Sequence, residues 1–255
     1  MVQGPEAGEE PENTGGEIDQ IRAAMHYSVG VPKFPVRERH TSRAQEDYLK
    51  ALYGLGASKE PVQTSRLAHE LNVSPASTSE MLVKLAALQL VLHDPYRGAR
   101  LTGDGEALAL EIVRHHRLLE TYLVQALGYS WDEVHEEADH LEHAISERLE
   151  ERMWRALGRP RVDPHGDPIP TVDGRVRPRG LRPLTACISG EKVVLERVSD
   201  RDPEKLRAIA ALGLNPGAVM QVVAESRWES PIELALGKRR LEVPLGLASA
   251  LFVQG

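Results

Sequence analysis

The sequence predicts a mainly α protein: a winged helix-turn-helix unit, a pair of long helices, and a small C-terminal β-barrel. Three patterns carry this reading. Helix, short turn, helix and hairpin follow in series from Ser42 to Thr102; two long segments of helical periodicity end at Gly128 and Gly158; and five or six short β-type runs follow a Pro-rich connector. With 255 residues, 41% of them apolar, the chain can build one large core or two to three small ones.

Residues 1–40 are rich in Gly, Pro and Glu and are expected to form a mobile extension in which only Glu17–Tyr27 has helical character. From Ser42, Tyr48, Leu49, Leu52, Tyr53 and Leu55 recur at helical spacing until Gly54 and Gly56. Val62–Leu71 reads as a second helix. Ser74 then stands as an N-cap with Pro75 at the first position of a third helix, Pro75–Leu88, a favoured start. Leu90–His93 and Ala99–Thr102 flank a turn and read as a hairpin. The long helices are expected at Asp104–Leu127 and Asp132–Leu157, with Leu141, Ile145, Leu149 and Met153 as a packing stripe on the second. Past the connector, β runs are expected at Leu184–Ile188, Lys192–Val198, Ala218–Val223, Ile232–Leu236, Arg240–Val243 and Leu251–Val253, with a helix at Pro203–Leu212. The resulting organisation is 1–40 extension, 41–103 winged helix-turn-helix, 104–158 helical pair, 159–183 linker and 184–255 barrel.

Composition narrows the function classes. The single cysteine, Cys187, excludes an intramolecular disulfide and any multi-cysteine metal site. No apolar run nears the roughly 20 residues that span a bilayer, and the first 20 residues hold six acids and no Lys or Arg, so a cytoplasmic chain without membrane association is expected. The net charge of −7 argues against a general DNA coat but leaves room for a local DNA-reading face.

Such a face needs short polar groups where the second helix of the helix-turn-helix enters the major groove. Ser74, Ser77, Thr78, Ser79 and Glu80 meet that need, while Met81, Leu82 and Leu85 face inward. Thr64, Ser65 and Arg66 at the start of the preceding helix, with Lys84, Arg97 and Arg100, complete the expected contact set. Residues 41–110 hold seven Lys or Arg against eight acids, so specific binding would depend on two such heads presented by a dimer.

Between Asp132 and Glu151 lie nine acids and one Arg, a run that by itself is an ordinary solvated helix face. Spacing singles out some of its members. At about 100° per residue, Asp139, Glu142 and His143 share one arc, and His135 precedes Asp139 by one turn. Carboxylates and imidazoles so placed can chelate one divalent ion. The preceding helix offers His116 and Glu120 one turn apart, and Asp47 lies on the first helix beside Glu46. Two enzymes are disfavoured: His135-Glu136 is followed at the fifth place by Asp139 where a zinc protease needs His, and Glu142-His143 is adjacent where a di-iron bundle needs Glu-x-x-His.

Four stretches, QEDYLKALY, SPASTSEMLVKL, the pair RHHRLLE and VHEEADHLEH, and DPHGDPIP (Asp163–Pro170), together resemble the diphtheria toxin repressor family, which includes iron-dependent regulators and manganese transport regulators. The resemblance covers Ser42–Gly255. It implies a homodimeric, non-enzymatic repressor with an SH3-like (FeoA-like) barrel that controls metal uptake genes by binding a palindromic double-stranded operator. It also implies a primary metal site of Asp47, Asp139, Glu142 and His143 and an ancillary site of His116, Glu120 and His135, joined by Asp202 or Glu204 from the C-terminal domain. Iron-type members carry Met and Cys where this chain has Asp47 and Asp139; hard oxygen donors favour Mn(II), with Fe(II) next and other divalent transition metals in vitro. Lys50 stands where manganese regulators carry Glu, which favours two separated sites over a close pair. His115 and His140 are expected to be non-ligands, and His165 to cap a turn. A regulator answering an organic ligand and a metal-dependent hydrolase are the competing readings.

Overall fold

The computed structural model describes residues 41–200, 202–226 and 230–255. The expected N-terminal extension with its Glu17–Tyr27 helix lies outside the described residues.

Helix α1 (Arg43–Gly54) starts at Ser42, whose hydroxyl accepts from the Gln45 amide while the Gln45 side chain accepts from the Ser42 amide. This reciprocal cap satisfies two helix-end donors. α2 (Thr64–Glu70) and α3 (Pro75–Ala87) follow, the latter capped by Ser74 with Pro75 in its first turn. Strands β1 (Val91–Asp94) and β2 (Gly98–Leu101) form the antiparallel wing. α2 begins two residues later than expected because Val62 pairs with Ala99 of β2. Leu49, Leu52, Leu67, Leu82 and Leu85 are fully buried and hold the three helices and the wing around one core.

Helix α4 (Gly103–Leu127) is capped by Thr102 and stopped by Gly128, whose φ of 75° suits a residue without Cβ. The expected single helix Asp132–Leu157 is two, α5 (Val134–Leu141) and α6 (Glu147–Ala156). Ser146 causes the break: its backbone is extended and its hydroxyl accepts from the Leu149 amide, a local bond that competes with continued helix. The four-residue stripe is therefore interrupted; Met153 is buried, while Leu141 and Leu149 remain 36% and 45% exposed.

The segment Asp163–Pro170 lies between α4 and the C-terminal domain. Arg114 and Arg117 of α4 donate to the Pro170 and Pro168 carbonyls at 2.7 and 2.6 Å. On its other side the Val198 amide donates to the His165 carbonyl at 2.8 Å. Gly166 allows this approach: its φ is +87°, and a Cβ there would fall 1.9 Å from the Glu196 carbonyl oxygen.

The C-terminal domain comprises β3 (Arg182–Pro183), β4 (Lys192–Val198), α7 (Pro203–Ala211), β5 (Val219–Ala224), β6 (Ile232–Leu236), β7 (Arg239–Val243), α8 (Leu245–Ala248) and β8 (Leu251–Gln254). Its antiparallel strands run in the order β3-β8-β4-β5-β6-β7, the small SH3-like barrel expected from the sequence. Val193, Leu195, Met220, Val222, Leu234 and Val253 point into one core with Leu206 and Ile209 of α7. The expected strand Leu184–Ile188 is instead a 3₁₀ turn at Leu184–Ala186; Arg182 and Pro183 take its place opposite Val253 and Phe252. No helix among the described residues is long and apolar enough to cross a membrane.

Candidate metal centre

Four elements deliver the donors. α1 contributes Glu46, Asp47 and Lys50; α4 contributes His116 and Glu120; α5 and the turn after it contribute His135, Asp139, Glu142 and His143; and the residue pair after β4 contributes Asp200.

In the first group, Asp47, Glu142 and His143 bring one donor atom each to within 4.8 Å of the others. His143 Nε2 lies 2.9 Å from Asp47 Oδ1 and 3.4 Å from Glu142 Oε1. The opposite ring nitrogen, Nδ1, is 2.6 Å from Glu46 Oε2, and Thr41 donates to the other Glu46 oxygen at 2.9 Å. With Nδ1 engaged by Glu46, Nε2 is the ring nitrogen left facing the two carboxylates. That nitrogen is buried and lacks a hydrogen-bond partner. Burial raises the Asp47 carboxyl above its ordinary range, with His143 offsetting part of the effect. Two carboxylates and an imidazole nitrogen facing one another fit a divalent cation.

The second group is His116, Glu120, His135 and Asp200. Glu120 Oε1 is 2.9 Å from His116 Nε2 and 3.2 Å from His135 Nδ1; Asp200 Oδ2 stands 4.0 Å from the same His135 nitrogen. Burial disfavours charge on both His116 and Glu120, yet their mutual attraction wins, holding the imidazole well above and the carboxyl well below their ordinary values. The expected C-terminal contributors are not the ones that arrive. Asp202 instead caps α7, accepting from the Glu204 and Lys205 amides at 3.1 and 3.2 Å, and Glu204 is exposed on the first turn. Asp200, before that helix begins, reaches the cluster.

Asp139 also departs from expectation. It groups with His116 and Glu142 rather than with Asp47 and His143. The break after α5 explains this, since Asp139 stands on the helix while His143 lies beyond its end. Lys50 Nζ sits 2.7 Å from Asp139 Oδ1, 2.7 Å from Glu142 Oε2 and 3.0 Å from His116 Nδ1. Burial favours a neutral amine there, but Glu142 and Asp139 outweigh it and raise the Lys50 pKa. Against burial, the hydrogen bonds with His116 and then the charge of Lys50 hold Glu142 and Asp139 below the carboxylate norm. The two donor sets meet at Glu142, which turns one oxygen to His143 and the other to His116.

A further buried group, Glu120, Asp163 and His165, was not singled out by spacing. The turn at Gly166 is capped by Asp163, whose Oδ1 accepts from the His165 and Asp167 amides, both at 2.9 Å. That leaves the His165 ring to point inward. It donates from Nε2 to the Trp131 carbonyl at 2.6 Å and turns Nδ1 to Glu120 Oε2 at 3.4 Å. His115 behaves as expected of a non-ligand: it is buried between the Glu142 carbonyl and Glu150 at 3.2 and 3.0 Å. His140 is exposed.

The sequence matches three family models in order: "Iron dependent repressor, N-terminal DNA binding domain" at 40–99, "Iron dependent repressor, metal binding and dimerisation domain" at 102–171, and "FeoA domain" at 182–255. The iron-dependent repressor IdeR of Mycobacterium leprae is 30% identical over 222 residues, spanning 82% of this chain and 96% of the relative. The diphtheria toxin repressor of Corynebacterium jeikeium is 29% identical over 232 residues, 82% of this chain and 95% of the relative. Among solved structures, a manganese-dependent transcriptional repressor in complex with manganese superposes with a TM-score of 0.76 at 41% identity, covering 82% of this chain and 98% of that one. The chain belongs to the diphtheria toxin repressor family. It is a metal-dependent, DNA-binding transcriptional regulator.

In this diphtheria toxin repressor homologue most of the residues expected to contact DNA reach the surface. Ser65, Arg66, Ser74, Ser77, Ser79, Glu80, Lys84, Arg97 and Arg100 are exposed, and Thr64 is half-buried. Thr78 is the exception. It is fully buried and its hydroxyl donates to the Ser74 carbonyl at 3.0 Å, so it steadies the helix start rather than facing DNA. Leu82 and Leu85 are buried and Met81 is half-buried against the same core. The wing turn is held by Asp94 Oδ1, which accepts from the Tyr96 and Arg97 amides and leaves Tyr96 96% exposed at its tip.

Proposed function

We propose that this chain is a Mn(II)-responsive repressor of metal-homeostasis genes, working as a cytoplasmic homodimer on a palindromic operator, without enzymatic activity. Asp47, Glu142 and His143 would hold one ion, with Asp139 at its edge through the shared neighbour Glu142. His116, Glu120, His135 and Asp200 would hold another. The observation that carries the reading is the meeting of Asp47 from the DNA-reading unit with Glu142 and His143 from the helical pair. Oxygen-rich donor sets without thiolate or thioether support Mn(II), as does the manganese complex of the structural relative; the imidazoles keep Fe(II) as the second choice. The working divisions are 41–103 for the DNA reader, 104–158 for metal binding and dimerisation, 159–183 for the linker and 184–255 for the barrel.

A bound divalent ion supplies the positive charge that lets these carboxylates share one place. The chain does the rest. Asp47 and Glu46 tie α1 to the turn after α5, which fixes where α3 stands relative to the helical pair and hence the spacing of two reading heads in a dimer. With free ion at 100 times its dissociation constant, the competent arrangement gains about 2.7 kcal/mol, a shift of about a hundredfold, if the other arrangement does not bind.

The test is a mobility shift on a palindromic operator after chelation, titrated separately with Mn(II), Fe(II) and Zn(II). Mn(II) should restore binding to the wild type and fail to do so in a Glu142→Ala, His143→Ala double variant that remains a folded dimer. Operator binding that survives chelation would favour a regulator answering an organic ligand.

A further inference from the structure

We propose that Lys50 is a tethered internal cation that occupies the His116–Asp139–Glu142 donor group and so limits how many metal ions this centre takes up. The inference rests on the metal-dependent reading above and adds to it a determinant of stoichiometry. His116, Asp139 and Glu142 offer one donor atom each within 4.8 Å, the same geometric quality as the groups assigned to metal. Among the described residues, an ammonium stands in its midst: Lys50 Nζ is 2.7 Å from Asp139, 2.7 Å from Glu142 and 3.0 Å from His116.

Lys50 arrives there by register. It lies three residues after Asp47 on α1, so both side chains project from one face of the helix toward α4 and α5. Asp47 meets Glu142 through His143, and Lys50 meets the other Glu142 oxygen. The Glu142 side chain is 1% exposed, so its charge cannot be neutralised by water alone. The ammonium supplies that neutralisation from within the chain. A divalent ion bound by the same three donors would need the position that Nζ fills, and two cations in contact there would repel strongly at low dielectric. Glu142 is therefore kept from bridging two ions: one oxygen faces a metal group, the other a lysine.

The experiment counts Mn(II) per chain by equilibrium dialysis with elemental analysis, together with the electron paramagnetic resonance spectrum. Wild type should show magnetically isolated ions around Glu142. Lys50→Gln frees three donors and should take up one further ion per chain, with a spin-coupled signal from two ions on one carboxylate. Lys50→Arg keeps the charge and should keep the wild-type count. If Lys50→Gln is less stable without metal, its Mn(II)-induced rise in Tm should exceed that of wild type, and its apparent affinity should rise about tenfold or more. A coupled pair already present in wild type, an unchanged count in metal-binding Lys50→Gln, or a gained ion in Lys50→Arg would each overturn the inference while leaving the metal-dependent function intact. A wild-type chain that binds no Mn(II) would remove both.

Discussion

Glu46 Oε2 stands 2.6 Å from His143 Nδ1, joining the DNA-reading helix to the turn that follows α5. Glu46 is buried, so its charge is placed at a cost that its partners must offset. By engaging Nδ1 it orients the ring so that Nε2 faces Asp47 and Glu142. Glu46→Gln keeps the shape but weakens this orientation, and partners of this kind typically contribute 10- to 100-fold in metal affinity. Competition with a chelating dye should show Mn(II) affinity falling by about that factor, with the fold preserved by circular dichroism. An unchanged affinity would mean that the ring is oriented by its carboxylate neighbours alone.

The two aspartates after β4 have opposite jobs despite their proximity in sequence. Asp200 faces His135, whereas Asp202 caps α7. Asp200→Ala should lower occupancy of the His116–Glu120–His135 group without changing the unfolding free energy in chelator by more than about 0.5 kcal/mol. Asp202→Ala should cost about 1 kcal/mol of stability through the lost cap and leave the ion count as it was. Paired denaturation and metal-counting measurements on the two variants separate these roles, and a reversed pattern would return the ligand to Asp202.

Much of this architecture was legible because local signals and packing agree. Ser42 and Ser74 announce helix starts that the folded chain uses, and Gly128 ends α4 as its spacing implies. His116 and Glu120 could be paired from helical register, both lying on α4, whereas His135 stands on α5 and joined them only through the family resemblance. Register failed where the chain leaves the helix. The expected Asp132–Leu157 helix stops after Leu141 and restarts at Glu147, so His143 lies beyond the end of α5 while Asp139 stands on it and gathers with His116 and Glu142. Asp163 and His165 gave only the local signal of a turn; that their side chains meet Glu120 depends on Arg114 and Arg117 pinning the linker to α4. Asp200 is about 65 residues from His135 in sequence, a separation over which no periodicity carries information, and only the docking of β4 brings it near.

That docking depends on Gly166. A Cβ at this position would collide with the Glu196 carbonyl, and the positive φ is itself unfavourable for any other L-residue. Gly166→Ala should therefore destabilise the metal-free protein by about 2 kcal/mol or more and loosen the linker from β4. Hydrogen exchange should report faster exchange of the Val198 amide, which donates to the His165 carbonyl. Because Asp200 follows β4 directly, Mn(II) occupancy of the second group should fall as well. Unaltered exchange at Val198 would show that the linker accommodates the methyl by another route.

His165 makes stability depend on pH in a direction that can be worked out. Burial opposes charge on its ring, but the hydrogen bond with Glu120 and the charges of Glu120, Asp163 and Asp200 outweigh it and raise the pKa from 6.5 to about 9. The folded chain therefore holds a proton that the unfolded chain releases between those values. The stabilisation is fully present below about pH 6.5 and is lost as pH rises through 9, with a ceiling on the order of 3 kcal/mol. Asp163 acts in the same sense, since burial followed by the Glu120 and Asp167 charges raises its pKa well above normal and favours proton uptake on folding. Denaturation in chelator should thus give a lower unfolding free energy at pH 9 than at pH 6.5. His165→Gln should flatten that slope, and excess Mn(II) should oppose it, because ligand groups that bind an ion must give up their protons and do so more readily at high pH. A slope of the same size in the variant would place the titrating group elsewhere.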